Sequence, residues 1–166
     1  KVGKDDDWDD AAASDSHIAF STRLNDTLAE KMRIDSSGRV LIGHTATLEV
    51  EGLDPHLQIV GTGEDDAAVF IQRYSGDATG PNLSFFKSRN GTPGSSTLVS
   101  DNDVLGQIRF FGDQGDDTGS EGASIFARVN GTPSVGSNDM PTELVFTTNP
   151  DGSTAHQERM RIDAIG

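Results

Sequence analysis

The residues best placed for chemistry are oxygen ligands on one loop: Asp113-Gln114-Gly115-Asp116-Asp117-Thr118-Gly119-Ser120-Glu121. Calcium takes about six to eight oxygens in a flexible shell, so this loop can supply part of one. Asp113, Asp116, Asp117 and Glu121 are the candidate ligands, although the loop lacks EF-hand spacing. Asp101-Asn102-Asp103 and Glu64-Asp65-Asp66 are weaker versions of the same chemistry. Each competes with an ordinary solvated loop.

Catalytic chemistry is poorly provided for. His17, His44, His56 and His156 are scattered, with none at a metal-binding spacing. The chain has no Gly-x-Ser-x-Gly elbow and no phosphate-binding Gly-x-x-x-x-Gly-Lys loop. With 27 Asp and Glu, chance carboxylate pairs carry no information about glycoside hydrolysis. No catalytic residues and no obligatory cofactor are therefore expected. The aromatics Phe85, Phe86, Phe110, Phe111 and Phe126 read as packing residues rather than a sugar platform, which would favour Trp and Tyr. Trp8 and Tyr74 are the sole examples of those two.

The formal charge of −14 disfavours nucleic-acid and anionic-membrane partners, both of which need clustered Lys and Arg. No apolar run approaches the roughly 18 residues of a membrane helix. Cysteine is absent, so disulfides and thiolate sites are excluded. Leu, Ile, Val and Phe make up 37 of 166 residues. That is barely above the roughly 20% at which chains stay unfolded. A lone chain would have a thin core, so neighbouring units or neighbouring chains are expected to supply part of the burial.

The elements that must position all this are short strands. Gly, Asn, Asp, Ser and Thr punctuate the chain as turn residues. Strand signals fall at His17–Phe20, Lys31–Ile34, Arg39–Ile42, Thr47–Val50, Leu57–Val60, Ala68–Ile71, Leu83–Arg89, Ala123–Val129 and Thr142–Thr147. Val104–Phe111 alternates as a half-buried strand. Gly38 sits where a turn needs φ > 0. Leu24–Lys31 is the one helical candidate, with Leu24 and Leu28 a turn apart. The acidic segment Lys1–Ser16 reads as disordered, or as a loop anchored by Trp8.

Two repeats are visible. Glu30-Lys31-Met32-Arg33-Ile34-Asp35 returns as Glu158-Arg159-Met160-Arg161-Ile162-Asp163. Each copy follows a Phe-Ser/Thr-Thr signal, at Phe20 and at Phe146. On a regular strand Arg33 shares a face with Asp35, and Arg161 with Asp163, so each pair is a candidate same-face or inter-chain salt bridge, the alternative being an ordinary solvated pair worth under about 1 kcal/mol. A shorter repeat takes Leu83–Arg89 and Ala123–Val129 into the same Asn-Gly-Thr-Pro turn. Repetition of β-type units points to an elongated array. The expected division is 1–53, the end of a preceding repeat; 54–150, a central β-rich module; and 151–166, a truncated junction. Both ends read as cuts in a longer protein.

The run Asp103-Val104-Leu105-Gly106-Gln107-Ile108, then Gly122–Ile125, Asn130–Pro133, Met140-Pro141, Leu144–Thr148 and Glu158–Asp163, resembles a repeat unit of phage tail-fibre and related virion fibre proteins. Phe20–Gly43 resembles the tail of a preceding unit. The resemblance implies an all-β, intertwined homotrimeric fibre of a virion or extracellular appendage, often ending in a self-cleaving chaperone domain that this sequence lacks. It also implies a structural role as shaft or spacer, with other fibre proteins as partners and a part in host attachment. Threefold closure leaves no free strand edge and places residues such as Met32, Ile34, Val40 and Ile42 at a shared axis. A β-sandwich-like knob is expected from Leu57 to Thr147. The alternative is a glycan-binding β-sandwich module of an adhesin, with Tyr74 and acidic residues lining its groove.

Overall fold

The computed structural model describes residues 2–4, 15–115, 119–136 and 139–165, and within them it is all-β. No helix is long and apolar enough to cross a membrane among these residues. The chain divides into two compact units, Lys1–Thr79 and Gly80–Gly166. Trp8 lies outside the described residues.

The first unit holds a five-stranded sheet in sequence order: β1 (Val2–Lys4), β2 (Ser16–Leu24), β3 (Thr27–Ile34), β4 (Val40–Ile42) and β5 (Leu57–Ile59). All pairings are antiparallel except β4 with β5. The candidate helix at Leu24–Lys31 is instead the β2–β3 turn and the start of β3. Asn25 and Asp26 take φ of 47° and 63°, the type I′ pattern, because their short polar side chains tolerate the left-handed region. Glycine is still better at the second position. Asp26→Gly is expected to stabilise the chain by about 0.5 kcal/mol, relief of left-handed strain outweighing glycine's added entropy. A rise in thermal midpoint would show it, and a fall would mean the turn is not strained.

Past β3, Asp35-Ser36-Ser37-Gly38 makes the expected turn, with Gly38 at φ 78°. Asp35 Oδ1 accepts the N–H groups of Ser37 and Arg39 at 3.0 and 2.9 Å. The predicted strand at Thr47–Val50 does not form. Its backbone is drawn off by Gln58, whose side chain accepts from Leu48 N–H at 3.0 Å and donates to Leu48 O at 3.2 Å.

The second unit holds a four-stranded antiparallel meander: β6 (Val104–Gly112), β7 (Ser120–Val129), β8 (Thr142–Thr148) and β9 (Gln157–Ile162). Among the described residues each unit carries one sheet, so neither is a sandwich by itself. The strands predicted at Ala68–Ile71 and Leu83–Arg89 are not laddered to any other strand. The two Asn-Gly-Thr-Pro copies therefore part company. Ala123–Val129 is central in its sheet, whereas Leu83–Arg89 has no partner strand.

The long repeat is matched in register. Phe20 opposes Met32 and Ser21 opposes Glu30; Phe146 opposes Met160 and Thr147 opposes Glu158. Lys31 and Arg159 are the extra residues, so both hairpins carry a β-bulge at the same place. The bulge reassigns the candidate ion pairs. It brings Glu30 and Arg33, three apart in sequence, onto one face, and likewise Glu158 and Arg161. Arg33 forks onto Glu30 at 2.6 and 3.1 Å, and Arg161 onto Glu158 at 2.6 and 2.9 Å. Asp35 lies beyond the end of β3 and takes Arg39 at 2.7 Å.

Candidate functional site

Directly opposed residues on neighbouring strands share a face. In the first sheet two rungs of four follow: Ile18, Ile34, Val40, Leu57 and Phe20, Met32, Ile42, Ile59. Every member is apolar. The rung between them, Ala19, Arg33, Leu41 and Gln58, points to the other side. In the second sheet Ile162, Leu144, Ala127 and Gly106 form one rung, and Met160, Phe146, Ile125 and Ile108 the next. The rung between them, Arg161, Val145, Phe126 and Gln107, again points away.

Burial on these sheets runs against the usual rule. On the mixed faces Ala19, Leu41, Gln58 and Val145 are at most 6% exposed. On the apolar faces Ile18, Phe20, Leu57, Ile108, Leu144, Met160 and Ile162 are between 37% and 58% exposed. The fully closed positions lie mostly on the mixed faces, while the apolar faces are half-open. Met32, Ile34, Val40, Ile42, Ile59, Ile125 and Phe146 are half-buried there, and among the described residues of those faces only Val129, next to Ala127, is fully buried.

How the mixed faces close is clear from their hydrogen bonds. In the first sheet the chain between β4 and β5 folds over Gln58. The Gln58 side chain also donates to Thr47 Oγ1 at 3.0 Å. Asp54 ties the cover down by accepting from Thr47 Oγ1 at 2.7 Å and from the Arg39 guanidinium. In the second sheet Glu143, almost fully buried, accepts from the Arg128 guanidinium, from Asn130 Nδ2 at 2.8 Å and from Arg161 Nη1 at 3.0 Å. Glu121, equally buried, accepts from the Arg109 guanidinium, with His156 Nδ1 at 3.5 Å. Arg109 also lies 4.6 Å over the Phe111 ring. The arginine stems thus roof a face that carries two carboxylates.

This arrangement decides how the acidic candidates are used. Glu121 is held by the Arg109 guanidinium on the mixed face. Asp113 Oδ1 accepts Gly115 N–H at 2.7 Å in a tight turn. Asp116 and Asp117 lie outside the described residues. Asp103 receives a fork from Arg89 at 2.6 and 2.7 Å and Ser100 N–H at 2.9 Å. Those bonds hold its carboxyl well below the ordinary carboxylate range. Asp101 accepts Gly131 N–H at 2.8 Å, and Asp66 accepts Gly63 N–H at 2.9 Å. Among the described residues no group of three His, Asp or Glu is placed to hold a metal ion.

Tyr74 is exposed, and its hydroxyl donates to Gln72 Oε1 at 2.7 Å. A groove of about 680 Å³ in the second unit is lined by Phe86, Leu98, Val99, Val135 and Met140, with Asp139 at its wall. Its lining includes neither Tyr nor Trp. Set beside known proteins, the chain matches no family model and no curated protein.

Sequence reasoning found part of the apolar surface, since Met32, Ile34, Val40 and Ile42 do share one face. It missed Leu57 and Ile59, which join through the parallel β4–β5 pairing. It also missed that the second unit repeats the surface. The signal was available in the shared order of the two long-repeat copies, a Phe followed by a Met an even number of residues on.

Proposed function

We propose that the chain is a structural segment of a homotrimeric virion fibre, a phage tail fibre above all. It acts as a β-built shaft or spacer that helps present a host-attachment tip. Its partners are two further copies of itself and other fibre proteins, and its place is the virion or an extracellular appendage. The role is mechanical rather than catalytic.

The observation that carries this reading is the pair of half-open apolar faces. Closing one half-open large side chain recovers roughly half of the 1.5–3 kcal/mol that full burial gives, about 1 kcal/mol. Seven such side chains per chain give about 7 kcal/mol, and a trimer collects that from three chains. A trimer needs two association steps at about 4–15 kcal/mol each, a cost of the same order as that gain. A second copy is the fitting partner because both units present the same face. Phe20 and Met32 in one correspond to Phe146 and Met160 in the other. An unrelated partner would have no reason to meet one surface twice.

Native mass tests the reading. Light scattering on the purified chain is expected to give three times its 17.6 kDa. A stable mass of one chain at micromolar concentration would overturn it and send the search to glycan arrays.

A further inference from the structure

We infer that residues 68–73 and 83–87 are strands whose partners belong to a neighbouring copy of this chain. The inference rests on the assembly reading and adds where the chains exchange backbone hydrogen bonds.

Among the described residues, positions 67–88 make no backbone-to-backbone hydrogen bond; the nearest on either side are Asp66 N to Gly63 O and Arg89 N to Thr97 O. Amide and carbonyl groups are obligatory hydrogen-bonding groups, and extended apolar sequence normally finds a ladder. Here the residues belong to no strand or helix within the chain, and the side chains are those of strands. Val69, Phe70, Leu83 and Phe86 are each about 70–90% exposed. Monomers rarely show so many large apolar groups in one stretch.

Three observations point to a second copy as the occupant. First, the stretch runs into the half-open apolar layer. A Cβ placed on Gly106 would lie 2.5 Å from Phe85 Cβ, so Phe85 already covers the apolar face at the one position where that rung has no side chain. Whatever seats on that face meets this segment too. Second, the chain has unladdered strand edges to offer, since β5 and β6 each pair on one side only. Donor and acceptor are thus on the same molecule. Third, the stretch brings no excess negative charge in a chain of −14: residues 67–99 carry Arg73, Lys87 and Arg89 against Asp77 alone, and Arg73 is held by Asp77 and Arg89 by Asp103 within the chain.

Between the two strands Arg73 forks onto Asp77 at 2.6 Å through both nitrogens, and Thr79 N–H donates to Asp77 Oδ1 at 2.9 Å. This pins a tight turn at residues 73–79 directly after the first of the two segments.

Two measurements on the full chain in its native oligomer test this. Amide exchange is expected to be slowed at least 100-fold at residues 68–73 and 83–87 relative to unstructured peptide. A photo-crosslinking benzoylphenylalanine in place of Phe70, or of Phe86, is expected to give a product of twice the chain mass on a denaturing gel. A trimer whose amides there exchange at the unstructured rate, or whose crosslinks stay within one chain, would overturn this inference and leave the assembly reading standing. A monomeric mass would overturn both.

Discussion

Glu143→Ala is expected to destabilise the second unit by about 3–5 kcal/mol, the usual cost of breaking a buried ion pair from one side. Glu143 is 2% exposed and is the acceptor for two guanidinium groups and one amide. Truncation takes the buried acceptor from Arg128 and Asn130 and leaves their inner N–H groups facing a polar hole, although both residues also reach solvent. A buried donor without an acceptor costs about 1–3 kcal/mol by itself, and more when charged. Total stability of a small domain is about 5–15 kcal/mol, so one substitution removes a large share. Glu158→Ala is the control. It removes the other acceptor of Arg161, but that pair is exposed and worth under about 1 kcal/mol. Urea denaturation at one fixed protein concentration reads both, since assembly makes stability depend on concentration. Equal losses for the two variants would mean that the mixed face is not a closed layer.

The contrast between Glu143 and Glu158 also marks where the sequence stopped being legible. Strand identity was readable wherever alternation met a partner in the same chain, as at Arg39–Ile42, Ala123–Val129 and Thr142–Thr147. The turn at Gly38 was readable because only one chemistry serves a positive φ there. The bulges were not, and they decide the ion pairs. A period-2 count sends Arg33 to Asp35, while one extra residue at Lys31 sends it to Glu30. The register at the end of the acidic loop was hidden for a related reason. Glu121 looked like a calcium ligand beside Asp113, Asp116 and Asp117, but its strand register turns it toward Arg109. Sequence proximity carries no information about which side of a sheet a carboxylate occupies. Ala68–Ile71 and Leu83–Arg89 have strand composition without an in-chain ladder, and composition alone cannot say which molecule holds the partner.

Met160→Glu is expected to dissociate the assembly without unfolding the chain. Met160 stands at the edge-strand end of an apolar rung, opposite Phe146, and is 49% exposed in a single chain. In that setting a carboxylate keeps much of its water and the sheet tolerates it. Once a second copy seats on the face, the same carboxylate must be buried with no cation on its rung. Each unpaired buried charge costs several kcal/mol, and threefold symmetry would bury three together. Every 1.4 kcal/mol is tenfold in affinity, so a loss of at least 1,000-fold follows. The far-ultraviolet circular dichroism should keep its β signature while the native mass falls to one chain. Met160→Lys separates site from net charge. It makes the chain less acidic, so weakened general repulsion would favour assembly, yet buried at the same place it should dissociate the chains as Glu does. Arg159→Ala, at the exposed bulge one residue away, should leave the mass unchanged. Met32→Glu extends the test to the first unit, where Met32 opposes Phe20 in the same register. If Met160→Glu, Met160→Lys and Met32→Glu all kept the parent mass, the apolar faces would not be the surfaces on which the chains meet, and the unladdered strands would have to hold the assembly without them.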